Sequence, residues 1–174
     1  RSWLNPVETT ELFAAYAIPI ASATLARDAD QAARAATAIF ATGNTVVVKI
    51  SSPDILNKSD VGGVRLNLTS ERAVHDATAE ILERARTMRP KARIDGVTIH
   101  PMILRPRARE LIAGLADDPT FGPVVVFGRG GTAVEVINDK ALALPPLDLN
   151  LAKDLIARTR VSRILKSYRD VPAA

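Results

Sequence analysis

A lysine interrupts the most apolar strand-like run of the chain, and this feature constrains the fold more than any other. Residues 46–50 read VVVKI, a pattern typical of a buried strand, with Lys49 as the charged residue. A lysine in such a run is costly to bury unless something anionic meets it. The loop that follows, residues 51–63, adds Lys58, hydroxyl groups and the pair Gly62-Gly63. Ammonium and backbone N–H groups of this kind can hold phosphate.

The spacing of this loop fits neither common phosphate-binding pattern. Walker A needs a glycine, four residues and then Gly-Lys-Ser/Thr, and the Rossmann turn needs three spaced glycines. Two alternatives stay open on the sequence alone. Lys49 could face solvent on an edge strand, and Lys58 with the glycine pair could form an ordinary flexible turn.

The composition favours helices packed on sheets and excludes some function classes. Of 174 residues, 47% are hydrophobic but only 4% aromatic, so the core must be built of Ala, Val, Leu and Ile. The net charge of +4 is spread along the chain, and only residues 105–109 cluster basic side chains, without aromatic stacking partners. We therefore expect no nucleic-acid partner.

Targeting and redox signals are also lacking in the sequence. No segment has the apolar length of a membrane span, residues 1–6 do not resemble a signal peptide, and there is no cysteine. We expect a soluble, cytoplasmic protein with no membrane partner.

The first half of the chain predicts alternating helices and strands. Caps at Asn5, Asp28 and Ser70 predict three helices, the first with an inward stripe of Leu12, Ala15 and Tyr16 and the third ending before Pro90. Strands are predicted at 20–25, 45–50 and 64–68. The inward stripe of the third helix is predicted to comprise Val74, Ala77, Ile81, Leu82, Ala85 and Met88.

The second half predicts a β-rich region and then short helices. A strand with Val97, Ile99, Pro101 and Ile103 on one face is followed by strands at 109–116, 123–128 and 132–138. Asp148 or Asn150 caps a helix to about residue 160, with another at 162–168. The mixed sheets with helices give an α/β or α+β fold class.

Six motifs of the chain resemble one family in order and spacing. They are residues 45–68 and the segments HPMI (100–103), RELIAG (109–114), DPTFGPVV (118–125), FGRGG (127–131) and VEV (134–136). The family is the ATP-grasp domain of NDP-forming acyl-CoA synthetases, related to the β subunit of succinyl-CoA synthetase. The resemblance covers residues 8–168.

The resemblance implies an ATP-grasp fold of two lobes with a nucleotide cleft between them. Residues 17–100 would form the lid lobe, and residues 1–16 with 101–174 part of the larger lobe. The matching positions would bind ATP or another nucleotide with Mg²⁺. They are Lys49, Asn57, Lys58, Gly62 and Gly63 at the phosphates, Met102 and Arg105 at the adenine, Glu110 at the ribose, and Glu135.

Some of these assignments have plain alternatives. Gly128, Gly130 and Gly131 could form only a hairpin turn, and Glu110 or Glu135 could be ordinary exposed strand residues. His75 and His100 are far apart in sequence, and we interpret both as structural.

One departure from the family concerns chemistry. Synthetases of the family carry a phosphate-accepting histidine before Lys-Ser-Asp, where this chain has Asn57. An amide nitrogen has no basic lone pair and is not a nucleophile, so we assign no catalytic residue. The family's metal ligands, an Asn and a later Asp, would lie beyond Ala174, so we predict none within the chain and a domain truncated at its C-terminus.

The resemblance implies the nucleotide-binding part of an acid-thiol ligase. The complete protein would interconvert acyl-CoA, NDP and phosphate with carboxylate, CoA and NTP through an acyl phosphate and a phosphohistidine. Its partners would be CoA-binding and ligase domains of the same polypeptide or another subunit, and the isolated chain is expected to be inactive. The alternative, favoured by Asn57, is a regulatory ATP-grasp module fused to a protein-lysine acetyltransferase.

Overall fold

The computed structural model describes residues 4–105, 108–131 and 134–166, apart from the side chain of Glu135. The chain divides into two compact units, Arg1–Leu104 (unit 1) and Arg105–Ala174 (unit 2). The assignment of residues 1–16 to the larger lobe stays a prediction. In the part of the chain that the structure describes, no helix combines the length and apolar character needed to cross a bilayer.

Unit 1 is built on a four-stranded antiparallel sheet. Its strands are β1 (Thr24–Ala26), β2 (Val46–Ser51), β3 (Val64–Leu68) and β4 (Gly96–Pro101), arranged in the order β1-β4-β2-β3. Because β2 lies between β4 and β3, the alternative that places Lys49 on an edge strand is wrong.

Three helices accompany this sheet, and each begins at the cap that the sequence predicts. They are α1 (Pro6–Ala15), α2 (Ala29–Phe40) and α3 (Glu71–Met88). The side chains of Asn5, Asp28 and Ser70 accept hydrogen bonds from backbone N–H groups of the first turns, at 2.7–3.1 Å. These bonds satisfy donors that a helix start otherwise leaves without partners.

The core of unit 1 lies between the sheet and two helices, α2 and α3. Successive side chains of a strand point to opposite faces, so Val46, Val48 and Ile50 share one face of β2. That face joins Val97 and Ile99 of β4 and the apolar stripes of α2 and α3 in one buried cluster. The other face carries Val47, Lys49, Ser51, Thr98 and His100, which the strand register places side by side, and we call it the lysine face.

Unit 2 is a three-stranded antiparallel sheet with short helices. Its elements are β5 (Leu111–Asp118), β6 (Gly122–Arg129), α4 (Val134–Ile137), β7 (Lys140–Ala143), α5 (Leu149–Ala157) and α6 (Ser162–Leu165), with strand order β5-β6-β7. Asp148 caps α5 by accepting from the N–H groups of Asn150 and Leu151. β5 is an edge strand, and its residues are exposed except at its last position.

The strand predicted at 132–138 is wrong. Residues 134–137 form the single turn of α4, although valine and isoleucine favour strands, and β7 begins only at Lys140. Asn138 ends the turn with a left-handed backbone, φ 45°, which asparagine tolerates better than most residues. Asp139 then accepts hydrogen bonds from the N–H groups of Arg160 and Val161, so tertiary contacts override the local preference.

The burial predicted for α1 is also wrong. Leu12 and Tyr16 are 43% and 74% exposed, and α1 contains no buried residue, because an apolar stripe becomes buried only where a partner element covers it. Met88 of α3 is likewise exposed, whereas the rest of its predicted stripe is buried.

Strand and helix ends account for the remaining differences. The strand predicted at 20–25 is shorter and later, since only Thr24–Ala26 pair with β4, and β4 ends before Ile103. α5 ends at Ala157 rather than near residue 160, and residues 167–168 of the last predicted helix lie outside the described part of the chain.

Candidate functional site

Lys49 occupies an interior position of the unit 1 sheet. It is half-buried, opposite Thr98 of β4 and Val64 of β3. None of the ion pairs found among the described residues includes Lys49 or Lys58. A half-buried ammonium without a carboxylate partner is suited to an external anion, which would offset the cost of its desolvation.

His100 lies on the same face as Lys49, and the charges of both lysines act on it. Its Nε2 is 2.9 Å from Thr98 Oγ1, and its register partner is Val47, two residues from Lys49. Burial is the main cause that lowers the pKa of His100, and the charge of Lys49 and, less strongly, that of Lys58 lower it further. A hydrogen bond to the backbone of Ser22 opposes this shift. A pKa lowered from the usual value near 6.5 leaves His100 neutral near pH 7.

The loop after β2 closes in a single 3₁₀ turn, Lys58–Val61. Asn57 precedes this turn, is exposed and makes no capping hydrogen bond with its side chain. Gly62 ends it with φ 62°, a left-handed conformation that glycine adopts without strain.

The glycine pair has a structural reason to be glycine. A Cβ on Gly63 would collide with Ile50 and lie 2.9 Å from the carbonyl oxygen of Lys58. The N–H groups of Gly62 and Gly63 donate to the carbonyl oxygens of Ser59 and Lys58 at 3.0 and 2.8 Å. In this conformation both N–H groups are therefore used by the turn itself, and the ammonium groups carry the case for phosphate binding.

Arg65 holds this turn from β3. Its Nη1 donates to the carbonyl oxygen of Gly62 at 2.9 Å, and its Nη2 pairs with Glu80 of α3 at 2.6 Å. The Arg84 side chain lies against Gly62, where a Cβ would come 3.0 Å from Nε. The loop is thus tied to both β3 and α3.

The two residues predicted at the adenine differ in their surroundings. Met102 is half-buried, and its N–H donates to the carbonyl oxygen of Thr45 at 2.8 Å, continuing the pairing of β4 with the start of β2. Arg105 is exposed, and its carbonyl oxygen accepts from the N–H of Ala108 at 3.0 Å. The backbone N–H of Met102 is therefore already used in this conformation.

Unit 2 brings Glu110 together with the glycine turn. The N–H of Gly130 donates to the carbonyl oxygen of Glu110 at 2.8 Å, and a Cβ on Gly131 would lie 3.0 Å from Glu110 Oε2. Glu110 is exposed and precedes β5 rather than lying within it. Glu135 is in α4, not on a strand, and its side chain lies outside the described residues.

The donor set around Lys49 does not fit a magnesium ion. Mg²⁺ prefers oxygen ligands, chiefly carboxylate, phosphate and water, whereas the charged or basic groups here are the ammonium groups of Lys49 and Lys58 and the imidazole of His100. Within residues 4–105, 108–131 and 134–166, no group of three or more His, Cys, Asp or Glu side chains is placed to hold a metal.

A groove of about 870 Å³ in unit 1 is lined by Ser51, which lies on the lysine face, and includes Lys58 but no other residue of the predicted site. Ser51 and Ser52 line one part of it, and Arg27 and Arg93 line another, while the N-terminal end of α1 borders it. Lys49 and His100 are not among its lining residues, so we do not equate this groove with the predicted phosphate site.

The sequence interpretation missed His100 as a neighbour of the lysines. The alternating directions of side chains along β2 and β4 already indicated that Lys49 and His100 face away from the core. Val97 and Ile99 face the core, so His100 must face the other side, as must Lys49 between Val48 and Ile50. What the alternation did not reveal is that β2 and β4 are adjacent.

Known proteins resemble this chain over nearly its whole length. The 4-hydroxybutyrate–CoA ligase (ADP-forming) of Nitrosopumilus maritimus is 40% identical over 162 residues, which is 93% of this chain and 22% of the ligase. The β subunit of acetate–CoA ligase (ADP-forming) I of Pyrococcus furiosus is 36% identical over 162 residues, which is 93% of this chain and 68% of the subunit.

Solved structures agree with these relatives. Acetyl-coenzyme A synthetase 1 (dinucleotide forming) of Ca. Korarchaeum cryptofilum, in complex with coenzyme A, Ca-AMPCP and HgCl⁺, superimposes with a TM-score of 0.85 at 35% identity, covering 99% of this chain and 73% of that one. A structure of the same synthetase with coenzyme A and Mg-AMPPCP, its phosphohistidine segment pointing towards the nucleotide-binding site, gives a TM-score of 0.73 at 32% identity over 99% of this chain and 70% of that one.

Fold and sequence together define the class of protein. The family model described as ATP-grasp domain matches residues 1–174, and the mixed α/β fold with antiparallel sheets is the one predicted. The chain belongs to the ATP-grasp family, in the branch formed by the β-subunit region of the ADP-forming acyl-CoA synthetases. The chain spans about a fifth of the length of the Nitrosopumilus maritimus ligase. The relatives are acyl-CoA ligases and synthetases, and they give no support to the acetyltransferase alternative.

Proposed function

We propose that unit 1 binds the phosphates of a nucleotide through Lys49 and Lys58. The observation that carries this proposal is the half-buried position of Lys49 on an interior strand, without an acidic partner and on the same face as a neutral histidine. Two ammonium groups in a partly desolvated setting attract a polyphosphate more strongly than the same groups in bulk water.

Calorimetry of ATP binding tests this proposal. Lys49→Ala should weaken ATP binding by about 1.5–3 kcal/mol, the scale of a hydrogen bond to a charged group. Lys91→Ala is the matched control, because it removes an exposed lysine of unit 1 from the turn between α3 and β4. Equal ATP affinity of wild type and Lys49→Ala would remove Lys49 from the site.

We assign the rest of the nucleotide to Met102, Arg105, Glu110 and Glu135. The proximity of the Glu110 carboxylate to the turn at Gly130 and Gly131 supports a ribose contact, since a carboxylate can accept hydrogen bonds from both ribose hydroxyls. Glu110→Ala should lower ATP affinity less than Lys49→Ala. The loss should disappear for an ATP analogue without ribose hydroxyls, and an equal loss for that analogue would contradict the assignment.

For the complete protein we propose acid-thiol ligation with NDP, which its relatives' names support. Acyl-CoA and phosphate would give acyl phosphate and CoA, a histidine would take the phosphoryl group and release the carboxylate, and NDP would accept that group to form NTP. Its partners would be CoA-binding domains, its location the cytoplasm, and Mg²⁺ would bind mainly through nucleotide phosphates and water.

Asn57 limits where the phosphoryl group can go. Because an amide cannot form a phosphoramidate in this way, any covalent phosphate must be carried by a histidine outside residues 51–63. Full-length protein incubated with radioactive ATP should therefore yield no acid-labile phosphate in peptides that contain Asn57. Such a label in the wild-type loop would overturn the proposal, and Asn57→His offers the positive control.

A further inference from the structure

His100 has contacts that allow it to carry either charge state. The distance from its Nε2 to Thr98 Oγ1 is 2.9 Å, and Thr98 Oγ1 is in turn 3.4 Å from the carbonyl oxygen of Lys49. A hydroxyl group can donate or accept. Neutral His100 can accept the Thr98 proton at Nε2, and protonated His100 can donate to Thr98, which then donates to the Lys49 carbonyl.

The charged groups that act on His100 come from two neighbouring elements. β2 contributes Lys49 and the 3₁₀ turn contributes Lys58, while the segment before β1 contributes only the backbone of Ser22. Within the described residues, the groups that shift the pKa of His100 include no carboxylate. His100 is therefore kept neutral by burial and by the very ammonium groups that are proposed to meet phosphate.

We propose that binding of a polyphosphate at Lys49 and Lys58 is linked to protonation of His100, which is neutral when the anion is absent and protonated when the anion is bound. This inference rests on the proposed function. The negative charge of the ligand cancels the repulsion from the two lysines, and it favours the imidazolium directly. Lys49, Lys58 and His100 then carry three positive charges near the anion instead of two.

The consequence is a binding affinity that depends on pH. Coupling is reciprocal, so if the anion favours protonation of His100, protonation must tighten binding of the anion by the same factor. Each pH unit by which the ligand raises the titration midpoint gives about tenfold tighter binding at pH values below both midpoints.

Proton NMR of the imidazole groups tests this directly, with tripolyphosphate as the probe. The chain has two histidines, so the spectrum contains two imidazole spin systems, and a His75→Gln variant assigns them. Saturating tripolyphosphate should raise the titration midpoint of His100 by about one pH unit. His75, on α3 beside Asp30 and Asp76, is an internal control whose signal should not respond.

A second variant tests the coupling without any ligand. Lys49→Gln should raise the titration midpoint of His100 in anion-free buffer, because one of the two repelling charges is gone. An unchanged midpoint would overturn the inference while leaving phosphate binding itself untouched. Absence of any tripolyphosphate binding to the wild type would instead overturn both the inference and the proposed function.

Calorimetry in two buffers of different protonation enthalpy completes the test. Wild type should take up a fraction of a proton on binding tripolyphosphate near pH 7. His100→Gln should lose that uptake, and its affinity for tripolyphosphate should depend less on pH. Circular dichroism verifies that the variant is folded. Because tripolyphosphate itself titrates, the difference between the two proteins is the measured quantity. Equal proton uptake by both would refute a role for His100.

Discussion

The two units of the chain differ in how completely they bury their sheets. In unit 1, α2 and α3 cover one face of four strands, and fourteen buried residues form one cluster. In unit 2, the buried apolar residues of its described part are Val124, Leu155 and Val161, and the edge strand β5 is almost wholly exposed. Unit 1 has a core of its own, whereas unit 2 has little apolar surface buried within itself.

This difference separates the proposed contacts into two groups. Lys49 and His100 lie on a sheet whose opposite face is tightly packed, and Lys58 lies in the 3₁₀ turn whose Val61 belongs to the same buried cluster, so the core holds their backbone in place. Glu110 adjoins an exposed edge strand with few buried neighbours. Because regions with few buried contacts open more readily, we expect the phosphate contacts to be preformed and the ribose contact to be more mobile.

The largest effect should come from matched truncations in the two units. Ile81→Ala empties a fully buried position of α3 and should destabilise unit 1 by about 3 kcal/mol. Leu115→Ala changes a side chain of β5 that is 76% exposed and should alter stability by less than about 0.5 kcal/mol. Amide hydrogen exchange reports the stability of each unit separately and measures both changes. Similar losses of stability in the two variants would contradict the difference in burial between the units.

A substitution in the Gly62-Gly63 turn of unit 1 should have a somewhat smaller effect on stability. Gly63→Ala forces a methyl group against Ile50 and should cost unit 1 about 2 kcal/mol, a typical price of overpacking. Gly114→Ala on β5 is the control, because a Cβ there meets nothing within 4 Å. Urea unfolding of both variants checks this, and an unchanged free energy of unfolding in Gly63→Ala would show that the loop can move away from Ile50 to accommodate the methyl group.

Removal of a helix cap in each unit compares the two units at a smaller energy, about 1 kcal/mol. Asp28→Ala and Asp148→Ala remove the same kind of cap from α2 and α5, and each should cost its helix about that amount. The loss at α2 should spread to all slowly exchanging amides of unit 1, since α2 belongs to its core. The loss at α5 should stay local, and a global effect there would mean that unit 2 is more cooperative than its burial implies.

The smallest effect should appear only in acid and only in unit 2. Burial of Asp139, whose side chain is 7% exposed, would raise its pKa, but the N–H groups of Arg160 and Val161 and the Arg160 guanidinium together lower it. A lowered pKa in the folded state means that the carboxylate contributes stability above the unfolded pKa, near 3.9, and loses it as pH falls through the folded pKa.

Hydrogen exchange between pH 6 and pH 2.5 measures this acid sensitivity. Asp139→Asn should flatten it, because the titrating carboxylate is gone. Asp154→Asn, which removes an exposed carboxylate of α5, should retain the wild-type slope. An unchanged slope in Asp139→Asn would show that other groups govern the acid response of unit 2.

Local patterns predicted unit 1 better than unit 2. Caps at Asn5, Asp28 and Ser70 and the strand around Lys49 are short-range signals, and the structure confirms them. The strand predicted at 132–138 failed because contacts of Asp139 with a segment about twenty residues away decide the path of the chain there. No local pattern reports such contacts.

The sequence by itself determined that an isolated lysine interrupts a buried strand and that a glycine-containing loop follows it. The apolar pattern of each strand also determined that Lys49 in β2 and His100 in β4 face away from the core, because side chains of a strand point alternately to its two sides. Only the tertiary structure decided that β2 and β4 are neighbours, which brings His100 beside the lysines. Pairing between strands some fifty residues apart depends on the packing of the whole sheet against α2 and α3, and local sequence does not encode it.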